Sequence, residues 1–336
     1  MNKLFWASCL LVAVALSPAT AAAKSLQFFK IGSGSVGGTY YPIAGMIGQV
    51  ISNPPGSKSC ESGGNCGVPG LTATAEVSGG SVANVELLSS KQVPSAIVQS
   101  DVSYWAQTAS GPFRTRPAIS SLCAISSLYP EEVDLVATPE ANIKTVTDLT
   151  GHKVALGKQD SGALLGAQLL VRAFGISEGK DFTPVLADYQ GIDKLMQANE
   201  VDAFVTVSGY PNSTVSNVAN KLGAVLVPVD GAGRDRLVKS ASFYTPATIP
   251  VGSYSGQSQP IETVAVPSLW LSRTDIDQEL LYAITKAFWS NPKARGILDK
   301  GHPKGKAITL KTAFSGVSVP LCPGSEKFYK ESGTLK

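Results

Sequence analysis

Short apolar stretches alternate with stretches of helical periodicity through most of this chain, and this alternation constrains the fold more than any other feature. An early example is the apolar stretch at residues 28–32, followed by a segment in which Ile43, Ile47 and Val50 share one helical face. The pattern is typical of a largely parallel sheet covered by helices. With 336 residues, 43% of them hydrophobic, the chain can build two such cores.

Later segments continue the alternation. We predict separate strands at residues 119–128 and 133–137, a helix at residues 193–199 and a long helix at residues 274–289. Two α/β series, with the chain returning to the first, place a cleft between two lobes. Ligands of open α/β sheets bind at the carboxyl ends of the strands, so the turns between strands and helices are the candidate sites.

The N-terminus has the features of an export signal. Lys3 precedes an apolar stretch at residues 10–16, and small residues follow up to Ala23, where we expect cleavage. The apolar stretch is shorter than the roughly 20 residues of a spanning helix, and no later stretch is long enough. We therefore expect a soluble periplasmic protein, and Cys9 within the signal does not indicate a lipid anchor.

Removal of the signal leaves Cys60, Cys66, Cys123 and Cys322, an even number that favours disulfides in an exported protein. Four cysteines allow three pairings. Cys60 and Cys66 enclose a short Gly-rich loop, so their pairing is the simplest, and Cys123 then pairs with Cys322 by elimination. A zinc site is the alternative, although the spacing fits no zinc finger or ribbon.

Charge and motifs restrict the function. The net charge of the whole chain is +3 and its basic residues are scattered, which argues against a nucleic-acid partner. The chain contains neither a G-x-S-x-G elbow, nor H-E-x-x-H, nor a P-loop, and it has only two histidines. The sequence thus predicts neither an enzyme nor a bound cofactor or metal.

The turn after the first strand is rich in glycine. Gly32, Gly34 and Gly37 match the G-x-G-x-x-G pattern of dinucleotide-binding folds. However, residues 51–55, Ile-Ser-Asn-Pro-Pro, stand where such folds have a second strand ending in an acidic residue. The turn can instead bring backbone N–H groups of the following helix to an anion. A turn whose glycines serve geometry alone is the alternative.

Three further strand-to-helix turns have similar chemistry. They lie at residues 78–81, 99–101 and 160–163, and each supplies hydroxyl or free N–H groups at a helix start. For Asp101 two roles remain open, a helix cap and a partner for a ligand ammonium group. Together the turns indicate a small ligand held mainly by neutral donors from two lobes.

Seven segments resemble one family of transport proteins in the same order. They are GSGSVGGTYYP at 32–42, VSGGSVAN at 77–84, QSDVSY at 99–104, LYPE at 128–131, GYP at 209–211, YAITKAF at 282–288 and PGSEKFYKE at 323–331. These segments resemble the TAXI family, the solute-binding subunits of tripartite ATP-independent periplasmic (TRAP) transporters. The resemblance covers nearly all of the chain that follows the signal.

The resemblance implies an α/β type II periplasmic-binding-protein fold, in which two α/β lobes joined by crossing strands close on a ligand in the cleft between them. The corresponding division is a signal peptide at 1–23, a first part of lobe 1 at 24–135, lobe 2 at 136–261 and a return to lobe 1 with C-terminal helices at 262–336. The implied function is capture of a small, glutamate- or glutamine-like carboxylate for a TRAP permease.

The resemblance also implies the ligand-binding residues. From the first lobe they are Gly34, Ser35, Gly38, Thr39, Tyr40, Gly79, Gly80, Ser81, Gln99, Ser100 and Asp101, and from the second lobe Ser161, Gly162, Gly209 and Tyr210. Two departures from the family stand out. Asp160-Ser161-Gly162-Ala163 replaces a G-S-G-T-like turn, which favours a ligand with fewer negative charges than glutamate or with a cationic group. Cys322 replaces a frequent histidine, which supports its bridge to Cys123.

Two other functions remain open from the sequence. An exported enzyme on the same two-lobed scaffold would need a nucleophile or general base that the sequence does not reveal. A sensor partner would present the bound ligand to a membrane receptor, and its sequence would not differ from that of a transport protein. The ligand expected in each case is a small anionic or zwitterionic acid.

Overall fold

The computed structural model describes residues 25–335, so the predicted signal peptide lies outside the described residues. The strands are β1 Gln27–Gly32, β2 Ser52–Asn53, β3 Val68–Pro69, β4 Leu71–Glu76, β5 Ser95–Gln99, β6 Leu122–Ala137, β7 Lys153–Ala155, β8 Thr183–Val185, β9 Ala203–Ser208, β10 Val225–Val227, β11 Thr245–Ile249 and β12 Ile261–Arg273. The helices are α1 Tyr40–Ile51, α2 Ser81–Ser89, α3 Ser100–Thr108, α4 Gly162–Ala173, α5 Tyr189–Gln197, α6 Ser213–Leu222, α7 Gly231–Ser240, α8 Gln278–Ser290, α9 Ala294–Gly301 and α10 Pro323–Glu331.

Most strands belong to one mixed sheet with the order β4-β1-β5-β12-β6-β9-β7-β8. β1 runs parallel to β4 and β5, and β7 runs parallel to β8 and β9. β12 and β6, at the centre, run antiparallel to each other and to β5 and β9 respectively. The two parallel groups lie on opposite sides of this central pair, as the predicted α/β alternation requires.

β6 and β12 serve both lobes. The first half of β6 pairs with the C-terminal half of β12, which also pairs with β5, whereas the second half of β6 pairs with β9 and β10. At the crossing, Pro130 lies opposite Pro267 and Glu131 opposite Val266, next to a shift in register. The strands β5, β1 and β4 form the first lobe with α1–α3 and α8–α10, and β7–β9 form the second with α4–α7.

The prediction of two strands at 119–128 and 133–137 is wrong, because the structure has the single strand β6 there. Pro130 and two acidic residues after it resemble a turn, since proline removes a donor from a β ladder. In the structure these residues occupy the crossing, where β6 changes its pairing partners and a missing donor is tolerated. β6 and β12 belong to both lobes, so the structure does not divide the chain at single residues. The predicted boundaries of the lobes therefore stay a prediction.

Each lobe has helices on both faces of its strands. In the first lobe the two cores contain residues such as Phe29, Ile47, Trp270 and Phe288 on one face and Val85, Val98 and Leu269 on the other. In the second lobe they contain Val154, Leu170 and Val205 on one face and Ile192, Phe204 and Val218 on the other. Burial of these apolar side chains from water is the main favourable contribution to folding of each lobe.

Both predicted disulfides are confirmed. Cys60 is bonded to Cys66, and Cys123 to Cys322, across 6 and 199 residues of sequence respectively. The zinc alternative is wrong, because all four thiols are used in bridges. Among residues 25–335, no group of three His, Cys, Asp or Glu side chains is placed to hold a metal ion. The helices of the same segment also include none with the length and apolar character needed to cross a bilayer.

Candidate ligand-binding site

Four helices begin at the cleft between the lobes. The residues that precede them, Thr39 for α1, Gly80 for α2, Ser161 for α4 and Asp188 for α5, all line one pocket. The first N–H groups of a helix have no partner within it, and the helix dipole adds partial positive charge at that end. Four such ends at one pocket favour a ligand with a negatively charged group.

The local sequence explains why the turns reach so close to the pocket. Gly80 has a φ of +97°, which side chains other than glycine rarely adopt. At Gly162, a Cβ atom would come within 1.5 Å of Oε1 of Gln99, so only glycine lets the second lobe approach this side chain of the first. Ser161 caps α4 by accepting a 3.1 Å hydrogen bond from the Leu164 amide.

The structure brings together most of the residues that the sequence predicts for the site. Those that line the pocket are Gly34, Ser35, Gly38, Thr39, Tyr40, Gly79, Gly80, Ser81, Gln99, Ser161 and Gly162. In this structure the cavity between these residues has a volume of about 60 Å³. Its size limits the ligand to a small molecule.

Four predicted residues do not line the pocket. Ser100 donates a 2.6 Å hydrogen bond to the Gly316 carbonyl, and Asp101 accepts hydrogen bonds from the Val102 amide and the Tyr244 hydroxyl at 2.7 and 3.1 Å. The carbonyl of Gly209 accepts a 2.7 Å hydrogen bond from the Thr39 hydroxyl. Tyr210 has the Nζ atom of Lys304 3.8 Å from the centre of its ring. Asp101 is therefore neither the N-cap of α3, which is Gln99, nor a pocket residue.

Ser78 and Ala163, in the predicted turns at 78–81 and 160–163, also line the pocket, and sequence reasoning missed the other lining residues, namely Glu131, Lys158, Ala187, Asp188, Tyr189, Val207 and Ser208. Tyr189 was missed because the helix was predicted to begin at residue 193, whereas α5 begins at Tyr189. The capping pattern of Asp188, which accepts a 2.8 Å hydrogen bond from the Gly191 amide, could have located this start. Glu131 is the last residue of the LYPE segment, and no ligand-binding role was predicted for it.

The two lobes contact each other across the cleft. Besides the bond from Thr39 to Gly209, the Ala83 amide donates to the Asp160 carbonyl at 3.1 Å, and Tyr244 donates to Asp101. Each of these pairs joins one residue of the first lobe to one of the second. The structure therefore shows the lobes in a closed arrangement around the pocket.

The pocket contains a compact polar network. Oγ of Ser81 accepts a 3.1 Å hydrogen bond from the backbone amide of Gln99. It also lies 3.1 Å from the Tyr40 hydroxyl and 3.3 Å from Oε1 of Gln99. Within residues 25–335, buried Nε2 of Gln99 has no acceptor and buried Oε1 of Glu131 has no donor. Buried polar atoms are rarely left without partners, so these two atoms are the best candidates for ligand contacts.

The Glu131 carboxyl group has an unusual environment. Burial raises its pKa well above the ordinary value, and the charges of Asp101 and Glu132 raise it further. The Tyr40 hydroxyl and the charge of Lys304 act in the opposite direction but do not compensate. Burial likewise raises the pKa of Tyr40 and of Tyr189, so both hydroxyls stay protonated and can donate hydrogen bonds.

Asp101 gives the fold a testable pH dependence. Burial raises the pKa of its carboxyl group to about 6, although the Val102 amide and Tyr244 hydroxyl lower it. In the unfolded chain the pKa is about 3.9. Between these values the native state holds a proton that the unfolded state releases, so the stability decreases as the pH rises through this window.

The variant Asp101→Asn should lack this decrease. Its free energy of unfolding, relative to the unchanged protein, should increase from about pH 4 to about pH 6 by up to about 3 kcal/mol. Urea denaturation at several pH values measures this difference, from which the other buried carboxylates cancel. A difference in the free energy of unfolding that stays constant across the window would show that Asp101 has the same pKa in the native and unfolded states.

Several solved structures are similar to this chain. A protein from Bordetella bronchiseptica RB50 is 13% identical, with 92% of this chain and 89% of that chain covered and a TM-score of 0.51, which shows a shared fold. The alkanesulfonate-binding protein SsuA from Xanthomonas axonopodis pv. citri, bound to MOPS, is 14% identical, with 92% and 85% covered and a TM-score of 0.47. The GluR0 ligand-binding core in complex with L-glutamate is 12% identical, with 85% and 99% covered and a TM-score of 0.47.

The predicted fold class is confirmed: two α/β lobes, crossing strands and a cleft form a periplasmic-binding-protein fold. The model of one protein family matches residues 31–333, which is nearly the whole of the described chain. This chain belongs to the NMT1-like family.

Proposed function

We propose that this protein is a periplasmic solute-binding protein that captures a small carboxylate-bearing molecule and delivers it to a TRAP membrane permease. The observation that carries the proposal is the convergence of four helix starts on one pocket between two lobes. Free N–H groups and helix dipoles at these starts suit a carboxylate. The hydroxyls of Tyr40, Ser81 and Ser161 add neutral polar groups to the lining; Ser81 donates to Oε1 of Gln99 at 3.3 Å, and Ser161 donates to the Lys158 carbonyl at 2.7 Å.

The choice of a TRAP permease rests on the TAXI resemblance. Two of the resembling segments, at 32–42 and 77–84, supply most of the first-lobe residues of the pocket. The ligand would bind to these turns in the open protein, and closure of the lobes would add Ser161 and Gly162. Because the ligand binds the closed form better, it shifts the population towards the shape that the permease recognises.

A ligand screen by thermal unfolding tests the binding role. Amino acids, dicarboxylates, keto acids and sugars are added to protein that has been unfolded and refolded to remove any carried-over ligand. An acid at about 100 times its dissociation constant should stabilise the native state by about 2.7 kcal/mol. Sugars serve as the control class. If no acid shifts the unfolding temperature, the proposed binding function is wrong.

Two serine variants place the ligand in the pocket. Ser81→Ala and Ser161→Ala should each weaken binding of the acid found in the screen by about fivefold, the effect of one lost neutral hydrogen bond. Ser161 also caps α4, so Asp277→Ala, which removes the cap of α8 far from the pocket, is the matched control for lost stability. Unchanged affinity in both serine variants would contradict this placement.

Uptake into proteoliposomes tests the transport role. A transport role predicts a permease gene beside this one; that permease is reconstituted, and the loaded binding protein is added outside. Uptake that requires the binding protein and an ion gradient, without ATP, is expected for a TRAP system. Uptake that requires ATP would assign the protein to a different class of transporter, and turnover of the acid without uptake would indicate an enzyme.

A further inference from the structure

Glu131 lies at the point where β6 passes between the lobes. It is opposite Val266 on β12, lines the pocket and has 1% of its surface exposed. Its Oε1 atom accepts no hydrogen bond from any residue in the range 25–335. A buried carboxyl group with an empty acceptor position is costly to ionise, in agreement with its raised pKa, and a cationic partner beside it would lower that cost.

The protein's own cations do not provide this partner. Lys304, the buried cation nearest the crossing, forms a 2.7 Å ion pair with the adjacent Glu132. Lys158 lines the same pocket, but its side chain is exposed, and none of the ion pairs within residues 25–335 includes Glu131. The titratable groups near Glu131 from other elements are Tyr40 of α1, Asp101 of α3, Tyr189 of α5, Tyr244 and Lys304. Of these only Lys304 is cationic, and Glu132 engages it.

The rest of the pocket lining favours a negatively charged group of the ligand. Among residues 25–335, Nε2 of Gln99 is a buried donor without an acceptor, and the starts of α1, α2, α4 and α5 place their positive dipole ends at the pocket. The other acidic residue that lines the pocket, Asp188, already caps α5 through a hydrogen bond from Gly191. The pocket thus combines donors for an anion with one buried carboxyl group, that of Glu131, whose Oε1 atom has no hydrogen-bond donor among residues 25–335.

We propose that Glu131 binds a cationic ammonium group of the ligand, so that the site selects small zwitterionic amino acids over dicarboxylates and hydroxy acids of the same shape. This inference rests on the proposed binding function. It places a specificity-determining residue on β6, a strand that both lobes share. The ammonium group would supply the charge and hydrogen bonds that Glu131 lacks in the ligand-free protein.

Matched ligands test the assignment. L-Alanine and L-glutamate are compared by calorimetry with L-lactate and L-2-hydroxyglutarate, in which a hydroxyl group replaces the ammonium group. At least one amino acid should bind about 100-fold more tightly than its hydroxy acid, since truncation of one partner of a buried charge pair is costly. Glu131→Gln should remove most of this preference.

The control is Asp134→Asn. Asp134 lies on the same strand, is buried with an oxygen that accepts no hydrogen bond from the described residues, and is not part of the pocket lining. Its substitution should leave the preference intact. Equal binding of amino and hydroxy acids, unaffected by Glu131→Gln, would overturn the role of Glu131 while the binding function stands. Binding of no acid at all would overturn both.

Proton release by the unchanged protein provides a test that does not depend on folding of a variant. The pKa of Glu131 is well above its ordinary value without ligand, and an ammonium group beside it would lower that pKa. At pH values between the ordinary pKa of a glutamate and this raised pKa, amino acids should therefore release a proton on binding and bind more tightly as the pH rises. Calorimetry in buffers of different ionisation enthalpy measures the proton. No release with a bound amino acid would contradict the proposal.

Discussion

Removing the disulfide between Cys123 and Cys322 should lower the free energy of unfolding by about 5 kcal/mol, whereas removing the one between Cys60 and Cys66 should lower it by about 2 kcal/mol. The bridges span 199 and 6 residues of sequence. A cross-link restricts the unfolded chain more when it closes a longer loop, so the longer span should contribute more. Both sulfurs of the long bridge are also buried in the first lobe.

The experiment compares two double variants, Cys123→Ala/Cys322→Ala and Cys60→Ala/Cys66→Ala, by urea denaturation. The short-loop variant is the control for substitution of two cysteines. The long bridge also fixes α10 beside β6, where the Cys322 amide donates a 2.9 Å hydrogen bond to the Ala124 carbonyl. Equal losses in the two variants would show that loop length does not determine the contribution.

Replacing Lys304 with methionine should destabilise the protein by about 3–5 kcal/mol, because it leaves the carboxylate of Glu132 buried without a counter-ion. The Nζ atom of Lys304 lies 2.7 Å from Oε1 of Glu132, and the two side chains are 5% and 4% exposed. Burial raises the pKa of Glu132, and the charge of Lys304 lowers it. Without the lysine, only protonation would relieve the cost.

Lys327→Met is the matched control. Lys327 pairs with Glu279 at 3.1 Å, but these side chains are 49% and 76% exposed. An exposed pair contributes at most about 1 kcal/mol. The double variant Lys304→Met/Glu132→Gln should recover part of the loss, since it removes the buried charge. Thermal and urea unfolding of the four proteins provide the comparison, and a loss in Lys304→Met no larger than in the control would refute a structural role for the pair.

Local features of the sequence predicted much of the fold. Alternating apolar and helical segments predicted the α/β architecture, and capping residues located helix starts such as that of α4 after Ser161. They failed at the crossing, where separate strands were predicted at 119–128 and 133–137 and the structure has the single strand β6. A strand that exchanges partners halfway places polar residues in its interior, and this pattern cannot be distinguished from a loop by composition.

The site was predictable only in part for a related reason. Its first-lobe turns have the glycine and hydroxyl composition of helix starts, but contacts between lobes depend on their relative placement. That Gly162 approaches Gln99, or that Lys304 engages Glu132 and leaves Glu131 free, follows from tertiary packing across long stretches of sequence. Asp101 shows the converse, since its position at a helix start suggested ligand contact but Tyr244 of the other lobe engages it.

The pairing of Glu131 with Val266 has a consequence for the ancestry of the chain. The backbone leaves the first lobe and comes back to it at adjacent points of one sheet, so the second lobe is an insertion with two neighbouring junctions. A gene segment between these junctions could be exchanged among relatives without altering the order of the remaining strands. Chimeras cut at Glu131 and Val266 would thus keep the first-lobe turns of the pocket from one protein and take the second-lobe turn at Ser161 and Gly162 from another.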